Sequence, residues 1–351
     1  MNGHPLCDRD LTTRLEEVRM AGARRPTIRD VARLAGVSHQ TVSRHLKQDP
    51  TVSPMLAAHI DQAVAQLDYR PNLVARAMRN KSTGRLALVL PAGDARSPSE
   101  VLAGANEAAQ QAGFALEVVT LPPGELRSGR VAELADSGLY EAVLSLADLP
   151  GGGRNRLGTV PIVSAPVYDQ KLRGVGPLSE ASRMAEMVRG LASLGHREFL
   201  HLTGDRGHPS SQRRSEAFLH AVEELGLHSA GVVDCRWDPD AARRTILDLP
   251  GSTEVTAVLG ADDVVAAAVI RAAAERGWQV PQDLSVTGWD DLPLGAWMSP
   301  SLTTVSIDKH RLGAELLEEL LRVMRGKDPA MNRPSITEVV WRESTGRASA
   351  R

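Results

Sequence analysis

Gln40 and Arg44 stand four residues apart, the spacing that places two side chains on one face of a helix. A glutamine amide pairs with the edge of adenine and an arginine fork with guanine, while His39 beside them can donate or accept. Ser38, Thr41 and Ser43 carry hydroxyls suited to phosphate oxygens. Arg29, Arg33 and Lys47 add positive charge that attracts DNA without reading it. A small helical domain with a charged surface would also use such residues, so the local pattern must separate the two readings. In "TIRDVARLAGVSHQTVSRHLKQ", Thr27 and Asp30 have capping-box spacing, and Ile28, Val31, Ala32 and Ala35 form one apolar face before Gly36. Ser38 then caps a second helix over 39–46, whose apolar side is Val42 and Leu46. Ser53 and Pro54 open a third helix to about Leu67, burying Ile60, Val64 and Leu67 under Tyr69. A helix, a glycine turn and a helix with polar residues at its start are the features of a helix-turn-helix.

Catalytic and metal chemistry find little support. The "GVGPLS" stretch at Gly174 follows no expected strand and lacks the last glycine of a dinucleotide fingerprint. The ten histidines form no H-E-x-x-H pattern, and neither a G-x-S-x-G elbow nor a P-loop occurs. Cys7 and Cys235 are the only cysteines, too few for a disulfide framework or a cysteine-rich metal site. No enzyme, cofactor or metal is expected.

The elements that must carry these residues divide the chain. Residues 1–83 hold 13 Lys and Arg against 8 Asp and Glu, while the remainder holds 28 against 35. A basic head on an acidic body suggests a polyanion-binding module joined to a unit with a separate task. At 351 residues and 42% hydrophobic side chains, the chain supports two or three ordinary domains. Its start carries charges where a signal peptide needs an apolar stretch, and no run approaches the roughly 18 apolar residues of a membrane span. A soluble cytoplasmic protein is the expectation. From Arg85 short apolar runs alternate with helical stretches. Strands are expected at 86–91, 114–119, 141–146 and 161–165, with helices at 99–112 and 127–137 between them. A second series follows, with helices at 180–194, 211–225, 239–248 and 264–276 and strands at 198–203, 231–235, 255–260 and 284–289. A strand at 302–306 and a helix at 309–325 complete it. Two doubly wound units with a cleft between them follow from this order, the last segments passing back between the lobes.

"TIRDVARLAGVSHQTVSRHL" and "LDYRPNLVARAMR" resemble the DNA-binding head of the lactose/galactose (LacI/GalR-type) repressor family. The resemblance runs over about 27–342 through "SLGHREF", "RSEAF", "GADD", "SVTGWDD" and "SPSLTTVSID". It implies an all-α helix-turn-helix head joined to an α/β, two-lobed, periplasmic-binding-protein-like effector domain. The corresponding divisions are an extension over 1–26, the head over 27–71, a hinge helix and linker over 72–83, the effector and dimerisation domain over 84–342, and a tail over 343–351. It further implies a homodimer on a near-palindromic operator, with a hinge helix that folds only in the minor groove. Asn72 is placed to cap that helix, and Met78 stands where the family wedges a leucine between base steps, although it would equally pack a linker. The ending "WRESTGRASAR" lacks a tetramerising heptad helix, so a dimer is favoured.

The resemblance also places a small effector between the lobes. Arg214 in "RRSEAF" matches the arginine that clamps sugar hydroxyls, with Ala217 replacing the usual glycine. Asp262 falls where many members have Asn, Asp290 matches an effector-contacting aspartate, and Trp237 matches an aromatic that packs on the sugar. Ile307 replaces a polar contact. The chemistry is coherent: carboxylates accept from hydroxyls, a guanidinium donates a rigid fork, and an indole covers an apolar ring face. Each also has a purely structural reading, Asp262 as a helix cap, Asp290 as a loop turn, Trp237 as a core or surface aromatic. Arg213 reads as a solvent-facing charge. The expected function is a repressor of carbohydrate-utilisation genes released by a neutral mono- or disaccharide, with a β-galactoside first. The alternatives are a corepressor-dependent regulator sensing a purine or other metabolite, and a sugar-binding module without specific DNA function.

Overall fold

The computed structural model describes residues 26–46, 49–70, 82–92, 98–122, 125–149, 160–327 and 335–349. Lys47, Asn72, Met78, residues 1–25 of the extension and most of the 72–83 hinge therefore lie outside the described residues. The chain separates into two units, 1–83 and 84–351.

In the first unit α1 (Ile28–Leu34), α2 (His39–His45) and α3 (Pro54–Gln66) enclose one small core. Val31, Ala32, Val42, Ile60, Ala63 and Tyr69 are its buried members, much as the apolar periodicity requires.

The second unit has two lobes built alike. In the first lobe β1 (Arg85–Pro91), β2 (Ala115–Leu121), β3 (Ala142–Ala147) and β4 (Ile162–Tyr168) form a parallel sheet in the order β2-β1-β3-β4. β1 is buried from Leu86 to Pro91 because both faces are covered. Leu86, Leu88 and Leu90 share a cluster with Val101, Ala105, Leu312 and Leu316, from α4 (Ser99–Gln111) and the late helix α10 (Lys309–Met324). Ala87 and Val89 point the other way, toward Val131 and Ala135 of α5 (Glu125–Asp136).

The second lobe repeats the order as β6-β5-β7-β8, with β5 (Glu198–Thr203), β6 (His228–Asp234), β7 (Ala257–Gly260) and β8 (Ser285–Thr287) parallel. Phe199 meets Phe218 and Met184 of α7 (Pro209–Glu224) and α6 (Ser182–Ser193). Leu200, Leu202 and Val258 meet Ile246 and Val269 of α8 (Pro239–Leu247) and α9 (Asp263–Glu275). β9 (Thr304–Ile307) pairs antiparallel with β10 (Thr337–Val340), a strand the sequence pattern does not announce.

Two boundaries differ from the sequence reading. β4 runs to Tyr168, whose antiparallel bridge to Gly174 sets "GVGPLS" beside the end of that strand, with five residues of chain between them. The final segment is no loose tail: Ser344 is fully buried and donates to Val286 O at 2.6 Å. Ala348 N reaches Leu194 O at 3.0 Å, and His196, held below its usual pKa by burial, contacts Gly346 O at 3.0 Å. Val286 N also donates to Ser344 O at 2.9 Å and Gly346 N to Ser285 Oγ at 3.0 Å, so this segment bonds along β8.

Candidate functional site

In the head, Thr27 N and Oγ1 both donate to Asp30 Oδ2, at 2.9 and 2.6 Å, closing the start of α1. Gly36 takes φ +68 in the turn, a conformation that favours glycine. Ser38 Oγ accepts from Thr41 N at 3.1 Å and starts α2. Burial of Val42 turns the other side of this helix to water, so His39, Gln40 and Arg44 are exposed and Thr41 and Ser43 half-buried. Arg29 and Arg33 are exposed on α1. Ser38 and Thr41 also share a hydroxyl bond of 2.9 Å, which engages both in the cap. Sequence reasoning missed His45, whose Nε2 lies 2.6 Å from Asp61 Oδ1 and ties α2 to α3. Sixteen residues separate the pair, beyond any local pattern.

In the second unit a cavity of about 270 Å³ collects residues from the carboxyl ends of strands. His208 follows β5, Trp237 follows β6, Asp262 follows β7 and Asp290 follows β8, while Arg173 follows β4. In doubly wound sheets those ends open on the crevice where ligands bind. The structure therefore brings together Arg214, Trp237, Asp262 and Asp290, the four residues singled out from sequence, with Ile307 in the same wall.

Arg214 is 8% exposed, donates from Nη1 to Ala261 O at 3.1 Å, and stacks 3.8 Å from the Trp289 ring centre. Burial lowers its pKa to about 10, against the opposing pull of Asp290, Asp262 and Glu180. It stays charged at neutral pH. Asp262 caps α9, its Oδ1 accepting from Val265 N at 2.8 Å, and it also lines the cavity. Asp290 sits in a left-handed turn at φ +104. Trp237, at φ +58, projects past Gly204, where a Cβ would overlap the indole.

Sequence reasoning missed several further lining residues, among them Arg173 and His208. Arg173 Nε donates to Asp169 Oδ2 at 2.7 Å, and its guanidinium lies 5.7 Å from the Trp237 ring centre. His208 caps α7 by accepting from Ser210 N at 3.3 Å on Nδ1, so the neutral ring carries its proton on Nε2. Burial, then Arg173, hold its pKa below the usual histidine value. Its ring stands edge-on to Trp237 at 5.4 Å. Strand-end position was the available signal for both. Arg213 is exposed as expected but is not idle, since Nη1 donates to Ser179 Oγ at 2.8 Å. Among the described residues no cluster of His, Cys, Asp and Glu could hold a metal ion, and no helix is long and apolar enough to cross a membrane.

Residues 27–72 match the family described as bacterial regulatory proteins, lacI family, and residues 188–345 match the periplasmic binding protein-like domain. The ribose operon repressor of Halalkalibacterium halodurans is 30% identical over 327 residues, covering 91% of this chain and 97% of that protein. The chain belongs to the LacI/GalR family. A second relative of this LacI/GalR regulator, the HTH-type transcriptional repressor PurR of Haemophilus influenzae, is 24% identical and covers 89% of the chain and 95% of its own. The Lac repressor bound to ONPG in the repressed state shares the fold, with a TM-score of 0.70 at 23% identity over 92% of this chain and 100% of that one. The protein is thus a ligand-responsive, DNA-binding transcription regulator and not an enzyme.

Proposed function

We propose that the protein is a cytoplasmic homodimeric repressor of carbohydrate-utilisation genes, released from a near-palindromic operator by a neutral sugar. The carrying observation is the convergence of Trp237, Arg214, Asp262 and Asp290 on one cavity. Such a set offers a flat apolar cover, a donor fork and two acceptors, which suits a polyhydroxylated ring better than a nucleobase. A volume of about 270 Å³ lies at the small end of ligand pockets. It favours a monosaccharide, free or as a small β-galactoside, over a larger disaccharide. The ribose operon repressors among the relatives add a pentose to the candidates.

On DNA, Gln40 and Arg44 read bases with His39, while Arg29, Ser38, Thr41, Ser43 and Lys47 hold phosphates. The divisions at 27–71, 72–83 and 84–342 then separate reader, hinge and sensor, with Asn72 capping the hinge helix and Met78 wedging the central base step. Leu294 and Trp297, 72% and 86% exposed in the 3-10 turn Pro293–Trp297, support the dimer by offering a second copy an apolar surface.

Calorimetry with D-galactose, methyl β-D-galactoside, D-glucose, D-ribose and hypoxanthine, on wild type and Asp290→Ala, tests the sensor. A neutral sugar should bind, lose affinity in Asp290→Ala, and release operator DNA in a parallel titration. Tight binding of hypoxanthine with no sugar response would overturn the reading in favour of corepression.

A further inference from the structure

Asp263 does not line the cavity, yet it is 4% exposed and its carboxylate ties α9, whose cap Asp262 is a lining residue, to the two segments that supply Asp290 and Ile307. Its Oδ2 accepts from Leu292 N at 2.6 Å, and its Oδ1 accepts from Thr304 Oγ1 at 2.5 Å. Its own N–H donates to Trp289 O at 3.0 Å. Leu292 ends the turn that carries Asp290, Thr304 opens β9, which ends at Ile307, and Asp263 follows Asp262 at the start of α9. Asp290 and Asp291 both take left-handed φ values, +104 and +50, which L side chains rarely adopt. Such a turn persists only when its surroundings fix it. Asp290 N bonds to Val305 O at 2.9 Å and Arg342 Nη2 to Asp291 Oδ1 at 2.7 Å, but the amide that closes the turn, Leu292 N, goes to Asp263. Gly288 makes room for this arrangement, since a Cβ there would overlap Asp263 Oδ1.

We propose that Asp263 is the positioning residue of the effector site, setting Asp290 by holding the 290–292 turn against α9 and β9. The proposal rests on the reading that the cavity binds the effector through Asp290. A carboxylate at this point fixes the relative placement of Asp262, Asp290 and Ile307, so a sugar meets a preformed acceptor pair instead of ordering one. An asparagine can do the same. Its carbonyl oxygen would accept from Leu292 N and its amide would donate to Thr304 Oγ1. Alanine can do neither and leaves a buried amide without an acceptor.

The test compares Asp263→Ala, Asp263→Asn and Asp290→Ala in the full-length protein. In ligand-free protein, hydrogen exchange at Leu292 and Asp290 should quicken about tenfold or more in Asp263→Ala and stay near wild type in Asp263→Asn. Exchange along the rest of α9 should not change. Calorimetry with the neutral-sugar panel should show the same order, a loss of about tenfold in Asp263→Ala and rescue by Asp263→Asn. Unchanged exchange at Leu292 in Asp263→Ala overturns the proposal whether or not a sugar binds. So does wild-type sugar affinity in Asp263→Ala when Asp290→Ala has lost it. Wild-type affinity in Asp290→Ala would instead remove the underlying site reading, and the exchange result would still decide whether Asp263 holds the turn.

Discussion

Arg173 of the first lobe and Asp205 of the second stand 3.6 Å apart, a charge pair that spans the cleft. It does not act alone. Asp169, on the same side as Arg173, accepts from the Arg173 guanidinium and lies 3.6 Å from His208 Nε2 of the opposite lobe. Burial opposes ionisation of Asp169, but the N–H groups of Arg173 and Lys171 and the Arg173 side chain hold its pKa below the usual carboxylate value. The negative charge that His208 and Arg173 share is therefore retained at neutral pH.

Because the Arg173 and Asp205 side chains are 31% and 45% exposed, their pair is partly solvent-screened and cannot by itself close the cleft. Asp205→Asn should weaken effector binding only about two- to fivefold, with the difference shrinking at high salt. Calorimetry at low and high ionic strength measures this. Equal affinities at low salt would show that the lobes meet without help from the pair.

The head offers a sharper contrast. Gln40 and Arg44 are exposed on α2, so truncating them leaves the core of Val42, Ile60 and Tyr69 intact. Gln40→Ala and Arg44→Ala should each cost about 1–3 kcal/mol on operator DNA and far less on random DNA. Arg29→Ala should weaken both DNAs alike and shallow the salt slope. Equal losses on operator and random DNA for Gln40→Ala and Arg44→Ala would take them out of base reading.

What the sequence reveals here depends on how far apart the cooperating residues lie. Thr27, Gly36 and Ser38 act within a few residues, so cap, turn and recognition helix are legible from one short string. The unbroken apolar run of β1 likewise declares a strand covered on both faces. β10 declares nothing, because its partner β9 is about thirty residues away and only four residues pair. Arg173 and His208 become neighbours of Trp237 through the convergence of three strand ends from two lobes. In "GADD" the family resemblance singles out Asp262, but nothing in the string gives Asp263 a task, which only the Asp290 turn and β9 supply.

Asp263 also carries a pH signature in folding stability. Burial, partly offset by the bonds from Thr304 and Leu292, raises its pKa from 3.8 to about 6, and Asp290 and Asp262 push the same way. A carboxyl raised on folding contributes stability below its unfolded pKa and loses it as pH climbs through the folded value. Wild type should therefore lose up to roughly 3 kcal/mol between about pH 4 and pH 7 relative to Asp263→Asn, which does not ionise there. Urea unfolding of both proteins across that range measures the difference. Parallel pH curves would mean that Asp263 is already ionised at the acidic end.

Gly204 gives the last prediction, because its hydrogen occupies the place that keeps Trp237 over the cavity. A Cβ at this position would overlap the indole at Cε2, Cζ2 and Nε1, the middle of the ring system and not a flexible end. Trp237 cannot simply swing away. Its backbone is fixed at φ +58 after Arg236 at +52, His208 stands edge-on at 5.4 Å, and Arg173 lies 5.7 Å from its centre. Gly204→Ala should thus displace the ring and cost sugar affinity about tenfold, close to the loss in Trp237→Ala. The head, a separate unit, keeps its own core, so ligand-free operator affinity should match wild type. The combined phenotype is a repressor that holds its operator and needs about ten times more sugar to release it. Operator titrations with and without sugar, on Gly204→Ala and Trp237→Ala side by side, distinguish the outcomes. Full sugar response in Gly204→Ala alongside a lost response in Trp237→Ala would show that the ring finds another route over the ligand. A full response in both would remove Trp237 from the effector site altogether.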